Sequence, residues 1–292
     1  MSDEPTGHAD SNGDNGNGNA NGGSNGGAGI TVDGAERPAP VALELRCLPE
    51  IGSFFMTAGT IVATAPRGHG NPVLVLPGFT AGDTSTAPLR ATLRLLGHRP
   101  HGWSIGSNVG PADHVVARLR DLVTELYVTH GRPIDIVGWS LGGIFARIIA
   151  SNQPHRVRQV ITLGSPIHMG THQSNVSHLF RRLGQLWGYD QGPRQLDLDP
   201  IPVPSTAVWT RTDGVVPGLA CRQTPGPTAE NVEVRGSHCG LGVNPTAIWV
   251  VADRLAQPDG VWEPFKPPGR LAWAYPHHDE DTTTAVAPGR DD

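Results

Sequence analysis

Residues 134–143 read IDIVGWSLGG, and this stretch restricts the fold more than any other part of the chain. The apolar run from Ile134 to Val137 fits a strand buried on both faces. It gives way to Gly138, Trp139, Ser140, Leu141, Gly142 and Gly143, then to a helical pattern over residues 141–150. The stretch Gly138–Gly142 fits G-x-S-x-G. A serine on so tight a strand-to-helix turn has strained backbone angles. Its neighbours must be small, because a side chain there would strike the adjoining strand and helix. The turn pushes the hydroxyl above the sheet. The backbone N–H after the serine opens a helix N-terminus, where negative charge is favoured. The arrangement presents one hydroxyl with a hydrogen-bond donor beside it.

The rest of the chain supplies a sheet for that turn. Short apolar runs at 73–76, 157–163, 207–210 and 232–234 read as strands. Helical spacing appears at 86–97, 112–130 and 245–255. Strand–helix alternation of this kind implies a mainly parallel sheet with helices on both faces. The interval 166–204 is longer than a connection needs. It holds an amphipathic candidate, NVSHLFRRLGQLWGY, followed by DPIPVPST. Such an interval reads as a small helical cap insertion over the serine. Phe180 and Leu183 are then expected to line a substrate pocket, with Trp139 beside the nucleophile; packing of the insertion on the domain is the other reading.

A serine nucleophile needs a base, and the base needs an orienting acid. Of 13 histidines, the late ones are His238, His277 and His278. His238 lies in RGSHCGLG, a glycine-rich loop just after a strand, while the other two fall in a polar tail. Asp213, in TDGVV, follows the 207–210 strand. Asp190, Asp197 and Asp199 lie in the insertion with no strand before them. The oxyanion donors are expected at the N–H of Leu141 and in the loop LPGFTAGD, where Phe79 N–H is the first candidate and Thr80 N–H the substitute.

Together, VLVLPGF, DIVGWSLGG, TLGSPIHMG, TDGVV and GSHCGL make residues 70–256 resemble the α/β-hydrolase family, in its lipase/esterase-like branch. The resemblance implies an α/β-hydrolase fold with Ser140, Asp213 and His238 as the triad and Phe79 and Leu141 at the oxyanion. It implies ester cleavage without cofactor or metal, on a small-molecule or lipid ester. An acyltransferase on the same triad, carbon–carbon cleavage, and a non-catalytic binding protein stay open. The loop at residues 77–79 is PGF rather than the HGGG of many esterases, and the segment before residue 70 matches nothing in the family.

The organisation expected is a tail over residues 1–35, a domain over 36–275 with its insertion at 166–204, and a second tail over 276–292. Residues 11–29 hold 8 Gly and 6 Asn, which leaves no apolar surface to offset chain entropy, so disorder is expected there and in the C-terminal tail. The opening, MSDEPTGHADSNGDNG, has no basic start and no apolar core, so no secretory signal is read and the cytoplasm is the expected location. The apolar segment 51–65 is broken by Gly52 and Gly59 and is read as too short to span a bilayer, which takes about 20 residues. Transient contact with a lipid surface stays open. A net charge of -5 and 22 scattered Lys and Arg give no sign of a nucleic-acid partner. His168 and His172 are read as rim residues, not metal ligands. Cys47, Cys221 and Cys239 match no zinc spacing; a Cys221–Cys239 disulfide is an open alternative to separate thiols.

Overall fold

The computed structural model describes residues 39–168 and 198–276. Six strands form one sheet in the order β2-β1-β3-β4-β5-β6. They are β1 (Pro72–Leu76), β2 (Arg99–Gly102), β3 (Ile134–Trp139), β4 (Val157–Leu163), β5 (Ser205–Trp209) and β6 (Ala229–Glu233). Every pairing is parallel. The helices are α1 (Cys47–Thr64), α2 (Asp83–Leu95), α3 (Asp113–His130), α4 (Leu141–Asn152), α5 (Gly218–Cys221) and α6 (Pro245–Ala256). A 3-10 segment, Val41–Arg46, leads into α1. This is the α/β architecture expected. The expected cap lies mainly at 169–197, outside the described residues.

The two faces of the sheet follow from side-chain alternation along each strand. Val73, Val75, Val137, Ile161 and Val208 point to the face covered by α1, α2 and α6. Leu74, Leu76, Ile134, Ile136 and Val160 point to the face covered by α3 and α4. Helix ends carry the expected signals. The Asn244 side chain accepts from the N–H groups of Thr246 and Ala247 at the start of α6, with Pro245 as its first residue. Gly131, at φ 64°, closes α3. Helix α4 is buried along all of residues 141–150, so it is apolar around most of its circumference.

Strand β2 and helix α1 escaped the sequence reading, as did the 3-10 segment before α1 and the short α5. Strand β2 reads RPHG, has no apolar alternation and sits at the sheet edge. Helix α1 corrects the reading that residues 51–65 are too short and broken. It runs through Gly52 and Gly59, and with the 3-10 segment it makes 24 residues, Val41–Thr64, of hydropathy 1.2. By length and composition alone that helix could cross a membrane. Pro49 falls in its first turn, where a missing N–H costs no intrahelical bond. Phe54 and Ile61 join the core, while Leu48, Phe55 and Met56 face outward.

Just after residues 169–197 the chain is fastened by one buried arginine. Arg147, within α4, donates to the Leu198 carbonyl (2.6 Å), Gln223 Oε1 (2.6 Å) and Asp199 Oδ1 (2.8 Å). The second Asp199 oxygen accepts from Thr224 N–H at 2.7 Å and lies 3.4 Å from His168 Nε2. Burial pushes the guanidinium down to about 10, opposed by Asp199. Removing one partner of a buried pair leaves an uncompensated charge. Asp199→Ala should therefore lower stability by about 3–5 kcal/mol, read as a drop in the urea midpoint. A midpoint unchanged from the parent would show that Arg147 needs no carboxylate.

Candidate active site

The tight turn after β3 has the strain its sequence implies. Ser140 adopts φ 53° and ψ -122°, outside the regions ordinary side chains favour. Its N–H donates to the Leu163 carbonyl at the end of β4 (2.8 Å), and its own carbonyl accepts from Gly143 N–H (3.0 Å). The flanking glycines are required by contact. A Cβ on Gly138 would fall 2.4 Å from the Cα of Gly143, and one on Gly142 would fall 2.4 Å from the carbonyl oxygen of Leu76 in β1. Neither neighbour is a side chain that could swing away.

Three sequence candidates converge at the carboxyl ends of the strands. His238, in the loop after β6, has Nε2 2.9 Å from Ser140 Oγ and Nδ1 2.7 Å from Asp213 Oδ2. Asp213, in the turn after β5, is fixed by its other oxygen, which accepts from the N–H groups of Val215 (2.8 Å) and Val216 (2.7 Å). A carboxylate can only accept, so Nδ1 carries the ring proton and Nε2 is left to accept from the serine hydroxyl. Asp213 and His238 are buried, at 1% and 6% exposure. Gly164, at φ 58° after β4, makes room for the pair: a Cβ there would lie 3.2 Å from His238 Nδ1.

The loop after β1 runs beside Ser140, since a Cβ on Gly78 would lie 3.3 Å from the Ser140 Cβ. Phe79 follows Gly78 in this loop, and Leu141 follows Ser140 as the first residue of α4, whose N–H has no intrahelical acceptor. Thr80, the substitute donor, is already engaged, because its N–H gives a 2.7 Å hydrogen bond to the Asn108 carbonyl. Fully buried Asn108 also donates from its side chain to the Pro77 carbonyl (2.8 Å), and so pins this loop at both ends. Nothing in the sequence around Asn108 announces that role.

Trp139 was expected at the substrate. The structure gives its indole N–H a 3.1 Å bond to the His238 carbonyl, with Gly242 against its ring. It thereby fastens the His238 loop to the serine turn. Phe180, Leu183, Asp190, Asp197 and His172 lie outside the described residues. The cysteines are separate thiols, with no disulfide between Cys221 and Cys239. Burial and the adjacent Glu44 raise the Cys239 thiol to about 12, so it does not rival Ser140 as a nucleophile. Among the described residues, no group of three His, Cys, Asp or Glu side chains is placed to hold a metal ion.

The segment ahead of residue 70 contributes an outer layer that the sequence reading left blank. Glu44 Oε1 accepts from the N–H groups of Gly214 (2.7 Å) and His238 (3.0 Å), and Oε2 accepts from Cys239 N–H (2.8 Å). Arg46 donates to the Thr212 carbonyl (3.0 Å) and the Gly236 carbonyl (3.3 Å). Glu50 accepts from Ser237 N–H (2.9 Å) and its hydroxyl (2.8 Å). Burial pushes the Glu44 carboxyl up, but bonds from Cys239, Gly214 and His238 outweigh it, and the group ionises below its ordinary value. For Glu50 burial prevails over the Ser237 bonds and the group is raised. Glu44 receives three backbone donors and the Cys239 thiol, whereas Glu50 receives one backbone donor and a hydroxyl and is raised further by the Glu44 charge.

Residues 113–218 match the model of the PGAP1-like alpha/beta domain. The chain is 28% identical over 158 residues to 2-hydroxy-6-oxo-2,4-heptadienoate hydrolase of Pseudomonas putida, covering 48% of this chain and 51% of that protein. It is 30% identical over 124 residues to 2-hydroxymuconate semialdehyde hydrolase of Pseudomonas putida, covering 40% and 44%. The matches thus span about half the length of these curated relatives. Among solved structures, Aspergillus fumigatus lipase B superposes with a TM-score of 0.52 at 16% identity, over 69% of this chain and 56% of that one, a likeness of fold.

Proposed function

We propose that the chain, which has the α/β-hydrolase fold, is a serine hydrolase cleaving carboxylic esters through an acyl-enzyme on Ser140. One observation carries the reading: the unbroken relay from Ser140 Oγ through the His238 ring to Asp213, at 2.9 and 2.7 Å. In the proposed reaction His238 Nε2 takes the hydroxyl proton as Oγ attacks the ester carbonyl. Asp213 holds the ring and stabilises the imidazolium. The N–H groups of Leu141 and Phe79 receive the charge that develops on the carbonyl oxygen. Protonated His238 gives its proton to the departing alcohol. Water, activated by the same nitrogen, then releases the acid and restores the serine. Each step uses side chains and backbone already present, and the reading assigns a small-molecule or lipid ester as substrate.

A second reading is carbon–carbon cleavage beside a ketone by the same groups. It is favoured by the names of the two curated relatives, whose stated substrates carry oxo or aldehyde groups. The test offers the full chain a series of p-nitrophenyl esters from acetate to palmitate, and separately a 2-hydroxy-6-oxo-dienoate. The ester reading expects release of p-nitrophenol and an acyl adduct on Ser140, visible by mass spectrometry after rapid acid quench. Turnover of the oxo acid with no ester cleaved would transfer the site to the second reading. An inert chain that also resists a fluorophosphonate probe would remove both.

A further inference from the structure

We infer that Glu44 is a positioning residue for the acid–base pair, a single carboxylate that sets the register of the Asp213 turn against the His238 loop. The inference rests on the triad reading above. The two loops leave different strands, and the hydrogen bond between Asp213 Oδ2 and His238 Nδ1 requires their backbones to keep a fixed separation. Glu44 spans them directly. Oε1 is shared between the N–H of Gly214, next to the acid, and the N–H of His238 itself, while Oε2 holds the N–H of Cys239. The turn is held from both sides, because the Asp213 carbonyl accepts from Ala39 N–H (2.8 Å) and the Thr212 carbonyl from Arg46. Glu44 is itself buried, at 9% exposure, and a Cβ on Gly214 would lie 3.0 Å from its Cγ, so the carboxylate has little room to shift.

The donor types separate this role from ordinary packing. Three partners of Glu44 are backbone N–H groups, which cannot reverse their bonds, and the Cys239 thiol also bonds to the carboxylate. A carboxylate serves them with two acceptor oxygens, whereas glutamine offers one oxygen and would turn an NH2 group toward a donor. With the oxygen kept on Gly214 and His238, the NH2 group faces the Cys239 N–H, and the His238 loop must shift at that end. Glu50 differs, because its partners are one N–H and one hydroxyl of Ser237. Glutamine there can accept from the N–H and donate to the hydroxyl oxygen. The chemistry thus gives unequal outcomes for the same Glu→Gln change on the same helical segment.

The test compares Glu44→Gln, Glu44→Asp, Glu50→Gln and Ser140→Ala in the full chain. Each is followed by its rate of labelling with a fluorophosphonate probe, by kcat and KM on a p-nitrophenyl ester, by Tm, and by the low-field proton NMR signal of an imidazole N–H bonded to a carboxylate. Misplacement by about 1 Å costs about 10²-fold. Glu44→Gln should therefore lower labelling and kcat by about 10²-fold with KM within about threefold, and weaken the low-field signal. Glu44→Asp keeps the charge but reaches one methylene less far, and should lose at least about tenfold in kcat. Glu50→Gln should lose no more than about fivefold. The inference is overturned if both Glu44 variants keep their kcat and their low-field signal. It is overturned equally if their losses simply track Tm and match those of Glu50→Gln. Ser140→Ala separates this from the triad reading. Equal labelling of parent and Ser140→Ala would sink the nucleophile, while the low-field signal, which needs only His238 and Asp213, would still decide for or against Glu44.

Discussion

Ser140→Ala should lower kcat by on the order of 10⁶-fold while leaving the fold in place. The substitution removes one oxygen and keeps the Cβ, so the crowded turn is not repacked. The lost contact is the 2.9 Å bond to His238 Nε2. With no Oγ there is no acyl-enzyme, and only transition-state binding at the N–H groups and the pocket remains. KM should change little, since the hydroxyl contributes little to holding an unreacted ester. The check is steady-state kinetics on the best p-nitrophenyl ester, with mass spectrometry for an adduct. A variant that keeps most of the parental rate would mean another group attacks.

Asp213→Asn should cost about 10⁴-fold in kcat, and the geometry says why the amide cannot escape the wrong orientation. Oδ1 accepts from two backbone N–H groups, so an asparagine must keep its oxygen on that side. Its NH2 group then points at His238 Nδ1. The ring must accept there, its proton moves to Nε2, and Nε2 can no longer accept from the serine hydroxyl. The backbone bonds survive, so Tm should fall far less than in Asp199→Ala. Kinetics and thermal unfolding of both variants check this. A mild effect of Asp213→Asn on kcat would remove Asp213 as the orienting acid.

The central strands and the serine turn were legible because they obey local rules. An apolar run buried on both faces ends at glycines, and strand β4, Val157–Leu163, has the bounds its sequence implies. His238 and Asp213 could be found from their places just after strands. Strand β2 was not legible, since an edge strand written RPHG carries no alternation. Helix α1 was missed for a different reason. Periodicity assumes that charge faces water and apolar groups face the core. Here Glu44, Arg46 and Glu50 turn inward to backbone partners while Leu48, Phe55 and Met56 face out. Those partners are main-chain groups up to 195 residues away in sequence, so no local pattern records them.

That span also bears on how the molecule comes into being. The 3-10 segment bearing Glu44 and the α1 that follows it are made early, and Phe54 and Ile61 of α1 belong to a core that includes Ile248 and Val251 of α6. Domains are synthesised from the N-terminus, and contacts between distant residues form slowly. A growing chain can close the β1–β3–β4 centre of the sheet while α1 still lacks both its core partners and the N–H groups its carboxylates need. A chain stalled after β4 and before Cys239 therefore carries, on the proposed triad, a serine turn without its base and an α1 without its partners. On the proposed mechanism, Ser140 acquires its base only when the His238 loop and α6 have joined α1.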